Sequence, residues 1–531
     1  MSSNVQSNSI ISVLSNRLNA DSLTGFYWFC IVVALTAFYV FPAYYFPLID
    51  MDEGAYAAVS REMVLTGSWL TTMLNGEPFF HKPALMYWTQ SIGLLIFGEE
   101  RFSYRFPSLV AFAFWLMATY QFTKRFLDTE TAHAFLWISL FSIGVLISLK
   151  AAIPDAWLIL FISLGIYKGY EFIVEDQERA LMWAFVWTGF GILAKGPIAL
   201  VVVAGTLFFY LLAEKNGRLL IRAMFFWKGW VLLLLVVLPW YLLQVYLFGQ
   251  QFLDEFFGKH NVGRFMNAME SHNGNVLYYV VDLMFLTLPF LPILFKSFIP
   301  WFKDAKQSNV NRMMLIWFLL VFVFFTVAAT KLPHYLMYGV PPVLIMMAYY
   351  FKRMNIKWGL GMTLVVWGAL LVALPQLIEM AAENEKDPYH FATLHQASLY
   401  LPALYYWLVG LMIVVGLILM FAKWDKMVKL FIAGLISATT FSYGLFAYAV
   451  NLQQEPIIGA ANYVKQHNLT VVTCCIEMPS FNVEAQQLTP MRKPQEGEIA
   501  FGKRHEIEAH FAQVEWLYVN RGVAVAKIIE E

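Results

Sequence analysis

The chain has 531 residues, of which 60% are hydrophobic, 17% aromatic and 14% charged. A soluble domain carries roughly 45–50% apolar and about 25% charged residues, so this composition excludes a disordered chain, a soluble enzyme and a disulfide-rich secreted scaffold. The 36 basic and 36 acidic side chains cancel to zero net charge, which leaves no overall field to attract nucleic acid. The composition indicates a multi-span membrane protein, whose spans contact membrane lipids.

The chain begins with a polar segment, 1–25. A basic region, a short apolar core and a small-residue cleavage site do not follow one another there, so a cleaved signal peptide is not expected. The apolar run 26–46 is long enough to cross the bilayer as a helix and predicts the first span. Further apolar runs bring the predicted total to about thirteen spans: 107–123, 132–149, 156–170, 180–194, 196–213, 224–248, 276–301, 313–329, 335–351, 358–378, 399–422 and 428–450.

The short loops rich in Lys and Arg fall on alternate sides of successive spans, and such loops are typical of the cytoplasmic side. Examples are the loops that carry Lys124 and Arg125, or Lys303, Lys306 and Arg312. The opposite, outer face then receives 48–105, 249–275, 330–334, 379–398 and the tail. Within the first of these, the apolar stretch 84–97 is too short to cross and predicts a helix on the membrane surface.

The composition turns polar near residue 452, where short alternating runs at 469–476 and 516–527 predict strands and 456–467 predicts a helix. We therefore divide the chain into a cytoplasmic N-terminus (1–25), a transmembrane domain that includes the outer loop (26–451), and a small outer α/β domain (452–531). Cys474 and Cys475 are adjacent in this last domain. They are either an ordinary buried pair or a vicinal disulfide.

Three carboxylates, Asp50, Asp52 and Glu53, follow the first predicted span at the membrane surface. Ionisable groups in such a position are usually functional or paired, because an unpaired charge is costly to desolvate. If the segment is helical, Asp52 and Tyr56 share one face at i,i+4. A carboxylate placed there can deprotonate a hydroxyl or hold a cation; the alternative is a solvated helix end that stops the span.

Single lysines stand in three loops of the outer face, where the cytoplasmic charge bias would not place them: Lys82, Lys195 and Lys331. Lysine binds phosphate as a point charge, so we expect at least two of the three to converge on a phosphate-sized site. The alternative for Lys82, which lies between His81 and Pro83, is a lysine that snorkels beside interfacial aromatic residues.

The string from Asp52 to Met63, followed by Asn75-Gly76 and Lys82-Pro83, resembles the signature of GT-C membrane glycosyltransferases. The resemblance is to the superfamily of the aminoarabinose transferase ArnT and the protein O-mannosyltransferases, and it covers roughly residues 45–345. Later pieces agree in order: Asp155, Leu193-Ala194-Lys195-Gly196, Pro239-Trp240-Tyr241, His260-Asn261, Arg264-Phe265, and Thr330-Lys331-Leu332-Pro333 with Tyr335.

This resemblance implies an α-helical polytopic GT-C fold with juxtamembrane helices and a small C-terminal α/β domain. It implies a bacterial inner-membrane enzyme whose active site faces the periplasm. The enzyme would transfer a sugar, with inversion, from a polyprenyl-phosphate donor such as undecaprenyl phosphate to lipid A, another glycan or a protein. Two alternatives stay open: a protein O-glycosyltransferase with the same donor, and a polytopic secondary transporter.

The resemblance also implies roles for individual residues. Asp52 matches the catalytic carboxylate, with Glu53 beside it, and Asp155 matches a second acidic residue of the site. Lys82 matches the lysine that binds the carrier phosphate. The other matched residues would bind donor or substrate: Tyr56, Lys195, Arg264, Lys331 and Tyr335.

Two departures from the family pattern concern the same loops. Ala55 stands where an Arg is frequent, and Phe79 and His81 stand where Tyr and Glu are frequent. In the aminoarabinose branch that Glu is associated with a metal, together with a histidine that matches His260. His81 and His260 would form a two-imidazole site, so a divalent metal stays an open alternative and no cofactor is certain.

Overall fold

The computed structural model describes residues 25–263, 266, 277–397, 401–476 and 478–530. Most of these residues are helical, as the GT-C interpretation requires. Within these ranges, seven helical stretches are long and apolar enough to cross a membrane. They are Gly25–Tyr45, Asp155–Glu175, Gly217–Phe248, Asn309–Val327, Gly359–Ala382, Ala403–Phe421 and Lys426–Gln466.

The predicted total of about thirteen spans is therefore not confirmed, because the other apolar runs fold into helices that are shorter, interrupted or less apolar. Ser142, for example, has an extended backbone (φ −70°, ψ 130°) that ends Thr129–Phe141 before Ile143–Ser148 begins. The further helices are Asp52–Thr66, Leu85–Phe97, Arg101–Phe126, Glu178–Lys195, Ile198–Ala213, Leu277–Leu286, Leu291–Asp304, Val340–Phe351, Pro388–His395, Ser480–Ala485 and Arg504–His510, with π-helices at Leu253–Gly263 and Thr440–Phe446.

One large apolar core joins most of the spans, and one of its buried tryptophans, Trp317, fixes a neighbouring turn. Trp317 is fully buried, and its Nε1–H donates to the Tyr338 carbonyl at 2.8 Å. A buried indole N–H needs such a partner. Tyr338 belongs to the 3₁₀ turn Pro333–Gly339, so this bond holds the turn against the Asn309–Val327 helix.

The predicted outer loop 48–105 is an ordered layer rather than a linker. Its helices Asp52–Thr66 and Leu85–Phe97 are joined by a buried hydrogen bond from Ser60 Oγ to Gln90 Oε1 at 2.7 Å. The helix predicted at 84–97 is thus present, with a start one residue later. Between the two helices, the strands Met73–Leu74 and Glu77–Pro78 form a short antiparallel hairpin.

The C-terminal part carries a four-stranded sheet. Its order is Val471–Thr473, Ile499–Lys503, Val523–Glu530 and Gln513–Asn520, with the first pair parallel and the others antiparallel. The segment 516–527, predicted as one run, contains parts of two strands. Arg521 and Gly522 turn the chain there with φ of 42° and 80°, a conformation typical of a tight hairpin.

Two further features of this part bear on the sequence predictions. The Ala447–Gln466 helix passes through residue 452 without a break, so the proposed domain boundary lies inside a continuous helix. Cys474 and Cys475 are joined as a vicinal disulfide, which was the second of the two alternatives.

The C-terminal sheet domain is docked on the Asp52–Thr66 helix by its own short helix Ser480–Ala485. The Ser480 amide donates to Asp50 Oδ1 at 3.0 Å, and the Ser480 hydroxyl donates to Asp50 Oδ2. A Cβ on Gly54 would lie 2.6 Å from the Ser480 nitrogen, so only glycine lets the two backbones approach this closely. Arg101 pairs with Glu484 at 2.9 and 3.1 Å on the same contact.

Candidate active site

Three cavities lie next to one another near the start of the Asp52–Thr66 helix: two of them share Asp52, and His81 lines one of these two together with the third. The largest, about 490 Å³, is lined by Lys82 and Lys195 together with apolar side chains, and we call it the lysine cavity. The second, about 210 Å³, lies between that helix and the C-terminal domain, and we call it the seam cavity. The third, about 330 Å³, lies beneath the same helix end, and we call it the inner cavity.

Asp52 lies where the seam cavity and the inner cavity adjoin. It is the first residue of its helix, it is exposed, and it lines both the seam cavity and the inner cavity. The positive end of the helix dipole favours a carboxylate at this position. Tyr56 follows one turn later and lines the seam cavity as well, so the predicted i,i+4 pair does share a face. His81 lines both the seam cavity and the lysine cavity.

Glu53 differs from Asp52 in being buried, with 3% of its surface exposed. Its carboxylate forms a two-pronged ion pair with Arg105 at 2.6 and 2.9 Å. It also accepts the backbone N–H groups of Ile49 at 2.9 Å and Ala152 at 2.6 Å. This carboxylate therefore fixes the entry of the helix, and its lone pairs are already engaged.

Asp155 and Lys195 are brought together although they are 40 residues apart. The Lys195 Nζ lies 2.8 and 2.9 Å from the two Asp155 oxygens, and the Tyr338 hydroxyl donates to the same carboxylate at 2.8 Å. Asp155 is 1% exposed. The ammonium also lies 5.9 Å from the ring centre of Tyr335. The Lys195 ammonium is therefore bound to Asp155 on one side and lines the lysine cavity on the other.

Two of the three predicted outer lysines thus line one cavity, and the third does not. Lys82 is buried, and its Nζ donates to the His81 carbonyl at 3.1 Å. Lys331 instead donates to the carbonyls of Thr326 at 3.1 Å and Ala328 at 2.8 Å. Lys331 therefore closes the end of the Asn309–Val327 helix. Tyr335 lines the lysine cavity, and Arg264 lies outside the described residues.

The two histidines of the open metal alternative are close together. The ring centres of His81 and His260 are 4.0 Å apart, and His81 also stacks on Phe79 at 4.0 Å. His260 is carried on the π-helix Leu253–Gly263, a type of helix that is frequent at functional sites. Among the described residues, no group of three or more His, Cys, Asp or Glu is arranged to hold a metal ion.

The structure adds His334, which no sequence pattern indicated although its neighbours Pro333 and Tyr335 match the family motif. Its imidazole interacts electrostatically with four of the predicted site residues: Lys195, Asp155, Asp52 and Lys82. Burial lowers the pKa of His334 below its ordinary value, and the Lys195 charge adds to this effect. A neutral imidazole among these charges can donate one hydrogen bond and accept another.

Lys150 is a second addition. It lines the inner cavity, with its Nζ 3.5 Å from the Phe38 carbonyl and 4.9 Å from the ring centre of Phe446. Burial and the neighbouring Arg105 lower the pKa of Lys150 to about 7. The predicted topology places residue 150 on the outer face. Lys150 is therefore a lysine in an outer loop and meets the same criterion that singled out Lys82 and Lys195.

Comparison with known proteins gives matches in sequence and in fold. Residues 81–242 match the family model described as dolichyl-phosphate-mannose-protein mannosyltransferase. An uncharacterised protein of Aquifex aeolicus is 29% identical over 62% of this chain and 74% of its own length. The undecaprenyl phosphate-alpha-4-amino-4-deoxy-L-arabinose arabinosyl transferase 1 of Pseudomonas fluorescens is 27% identical over 62% of this chain. That match spans 57% of the Pseudomonas protein.

The fold agrees over nearly the whole chain. The crystal structure of ArnT from Cupriavidus metallidurans bound to undecaprenyl phosphate superposes with a TM-score of 0.78, at 17% identity, over 95% of this chain and 98% of that one. The apo form of the same enzyme gives a TM-score of 0.76. The expected fold is confirmed by this agreement, and the sequence matches confirm the resemblance to the GT-C glycosyltransferases.

Proposed function

We propose that this GT-C membrane glycosyltransferase transfers a sugar from a polyprenyl-phosphate donor, such as undecaprenyl phosphate, to lipid A or another envelope acceptor. The transfer takes place on the periplasmic side of the bacterial inner membrane and inverts the anomeric centre. The arabinosyl transferase relatives and the matching family model are named as transferases rather than transporters, so the enzyme is preferred over the transporter alternative.

The observation that carries the proposal is the polarity of the lysine cavity. Lys82 and Lys195 supply positive charge to a space whose other walls include Ile198, Val201 and Phe324. A phosphate esterified to a long isoprenoid is complementary to this cavity, because its anionic head can bind the lysines and its apolar tail can pack against the apolar walls. The arabinosyl transferase relatives are named for undecaprenyl-phosphate sugars, and the superposed ArnT structure contains undecaprenyl phosphate, which supports the same donor class here.

The chemistry needs little more than these groups. A sugar on a polyprenyl phosphate is already activated, because the phosphate leaves as a stable anion. Lys82 and Lys195 would stabilise the charge that develops on that phosphate in the transition state. Asp52, exposed next to the seam and inner cavities, would take the proton of the incoming acceptor. Attack from the side opposite the phosphate inverts the anomeric carbon.

A second candidate is protein O-glycosylation with the same class of donor. It is favoured by the family match over residues 81–242, whose model is described by a protein mannosyltransferase activity. The donor site would be the same, and the two candidates differ in the acceptor alone.

The test uses the purified full chain in lipid nanodiscs with a panel of undecaprenyl-phosphate sugars and a bacterial envelope extract as acceptor source. Wild-type protein should move labelled sugar into the extract. Lys82→Ala should lower that rate about 100-fold or more, since one lost transition-state contact of this kind costs a factor of about 10²–10³. Lys303→Ala is the matched control, because Lys303 is exposed near the predicted cytoplasmic end of its helix. Equal rates for wild type and Lys82→Ala would remove Lys82 from the role, and an inert wild type would refute the function.

A further inference from the structure

The seam cavity has walls from two parts of the chain that are more than 400 residues apart. One wall is formed by Asp52 and Tyr56 with Asn75 of the hairpin, and the other by Met478 and Met491 of the C-terminal domain. The cavity shares Asp52 with the inner cavity and His81 with the lysine cavity. A group bound in it therefore reaches both Asp52 and the edge of the space that holds the lysines.

Hydrogen bonds hold the two walls at a fixed separation. The Asn482 amide donates from Nδ2 to Asn75 Oδ1 at 2.5 Å, across the seam. Thr489 donates to Asn482 Oδ1, and the Thr489 hydroxyl lies 2.9 Å from that of Thr473. On the other wall, the Glu62 carboxylate accepts the backbone N–H of Asn75 at 2.7 Å. The cavity is thus formed in advance, as a site for a small polar group normally is.

The charge of this cavity is opposite to that of the lysine cavity. No lysine or arginine occurs among the described residues that line it, and Asp52 contributes a carboxylate. The imidazole of His81 stacks on Phe79 and lies tilted against His260, at the border with the lysine cavity. A phosphate placed here would meet a like charge without a compensating cation, which is costly, whereas a hydroxyl can donate to that carboxylate.

We propose that the seam cavity is the acceptor site, that the C-terminal domain forms its outer wall, and that it takes a neutral hydroxyl-bearing group, such as a sugar hydroxyl, in preference to a phosphate. This inference rests on the proposed function. The acceptor O–H gives its proton to the Asp52 carboxylate while its oxygen forms a bond to the anomeric carbon. The bond from that carbon to the carrier phosphate breaks, and its electron pair stays on the phosphate oxygen. The products are an O-glycoside and the polyprenyl phosphate.

The experiment changes the outer wall and then identifies the new bond. Met491 is 54% exposed and lines the cavity, so Met491→Trp should fill space there without disturbing the fold. Leu488→Trp is the matched control, since Leu488 is 42% exposed in the same domain and does not line the cavity. Transfer into the envelope extract is measured for both in nanodiscs, together with the Kd for undecaprenyl phosphate and the thermal unfolding temperature. The labelled product is then treated with mild acid, which cleaves glycosyl phosphates and spares O-glycosides.

We expect Met491→Trp to lower transfer at least 10-fold, with an unchanged Kd for undecaprenyl phosphate, and Leu488→Trp to keep the wild-type rate. We expect the label to survive mild acid. Label released by acid would overturn the neutral acceptor, and wild-type transfer by Met491→Trp would overturn the assignment of the cavity. A wild-type protein that neither binds undecaprenyl phosphate nor transfers any sugar would instead refute the proposed function, so the two failures are distinguishable.

Discussion

Asp155 and Lys195 form an ion pair at the wall of the lysine cavity, with both carboxylate oxygens within 2.9 Å of the ammonium. The carboxylate is almost fully buried, while the lysine keeps 9% of its side chain exposed. This asymmetry means that Asp155 depends on Lys195 for its charge balance. Lys195, in contrast, can serve a phosphate in the cavity as well.

The first prediction follows from this asymmetry. Lys195→Met should lower the free energy of unfolding by about 3–5 kcal/mol, because it leaves a buried carboxylate unpaired. The double variant Asp155→Asn with Lys195→Met should recover most of that stability but not the transfer rate, since the cation at the phosphate is still missing. Thermal unfolding in detergent and the transfer assay measure the two effects. A double variant as unstable as the single one would show that the pair does not act as a unit.

The second prediction separates Glu53 from its neighbour Asp52. Glu53 is buried against Arg105 and two backbone N–H groups. Glu53→Gln should therefore destabilise the protein by about 3–5 kcal/mol, because it leaves the buried Arg105 charge without its partner. Where Glu53→Gln stays folded, we expect its KM for the donor to lie within about threefold of the wild-type value. Lowering the assay temperature should therefore restore much of the activity of this variant. A stable Glu53→Gln protein with no turnover would contradict this positioning role.

The third prediction concerns Asp52 itself. Asp52→Asn keeps the shape of the side chain and removes the base, so transfer to a hydroxyl acceptor should fall about 10²–10⁴-fold. The Kd for undecaprenyl phosphate and the unfolding temperature should stay near wild type, because Asp52 is exposed and lies outside the lysine cavity. Glu77→Gln, which alters an exposed carboxylate of the nearby hairpin, is the control. Wild-type turnover by Asp52→Asn would eliminate it as the base.

Much of the fold follows from patterns that the sequence displays directly. Hydropathy identifies a polytopic membrane protein, and the change of composition near 452 indicates the terminal domain. The count of spans fails where helices break inside apolar runs: nothing in the run 132–149 signals that Ser142 adopts an extended backbone. Such breaks depend on tertiary packing, which periodicity does not report.

The site was predicted less completely, for a related reason. Charge in an unexpected loop identified Lys82 and Lys195, but the same rule selected Lys331, which caps a helix instead. Whether a lysine faces a cavity or a helix end depends on the rotation of its segment, which a single sequence does not fix. His334 was overlooked because one histidine in a loop carries no pattern. Its position becomes apparent only in the fold, which brings it within electrostatic reach of Asp155 and Lys195.

The contact between Asp50 and Ser480 gives the last prediction, which concerns pH. Burial raises the pKa of Asp50 to about 7, and the hydrogen bonds from Ser480 oppose that rise because they favour the ionised form. In the unfolded chain an aspartate has a pKa of about 3.9. Between about pH 4 and pH 7 the folded protein therefore holds a proton that the unfolded chain has released.

Stability should accordingly fall as the pH rises through this window, and the contribution of Asp50 should be constant above it. At about 1.4 kcal/mol per pKa unit the effect reaches several kcal/mol. Asp50→Asn mimics the protonated form, so it should unfold at a higher temperature than wild type at pH 8 and near the wild-type temperature at about pH 4. Ser480→Ala should extend the slope to higher pH, because it removes a bond that favours the charged form. Asp254→Asn, an exposed carboxylate away from the contact, should follow the wild-type profile. Parallel profiles for wild type and Asp50→Asn would show that this carboxylate does not couple pH to the docking of the C-terminal domain.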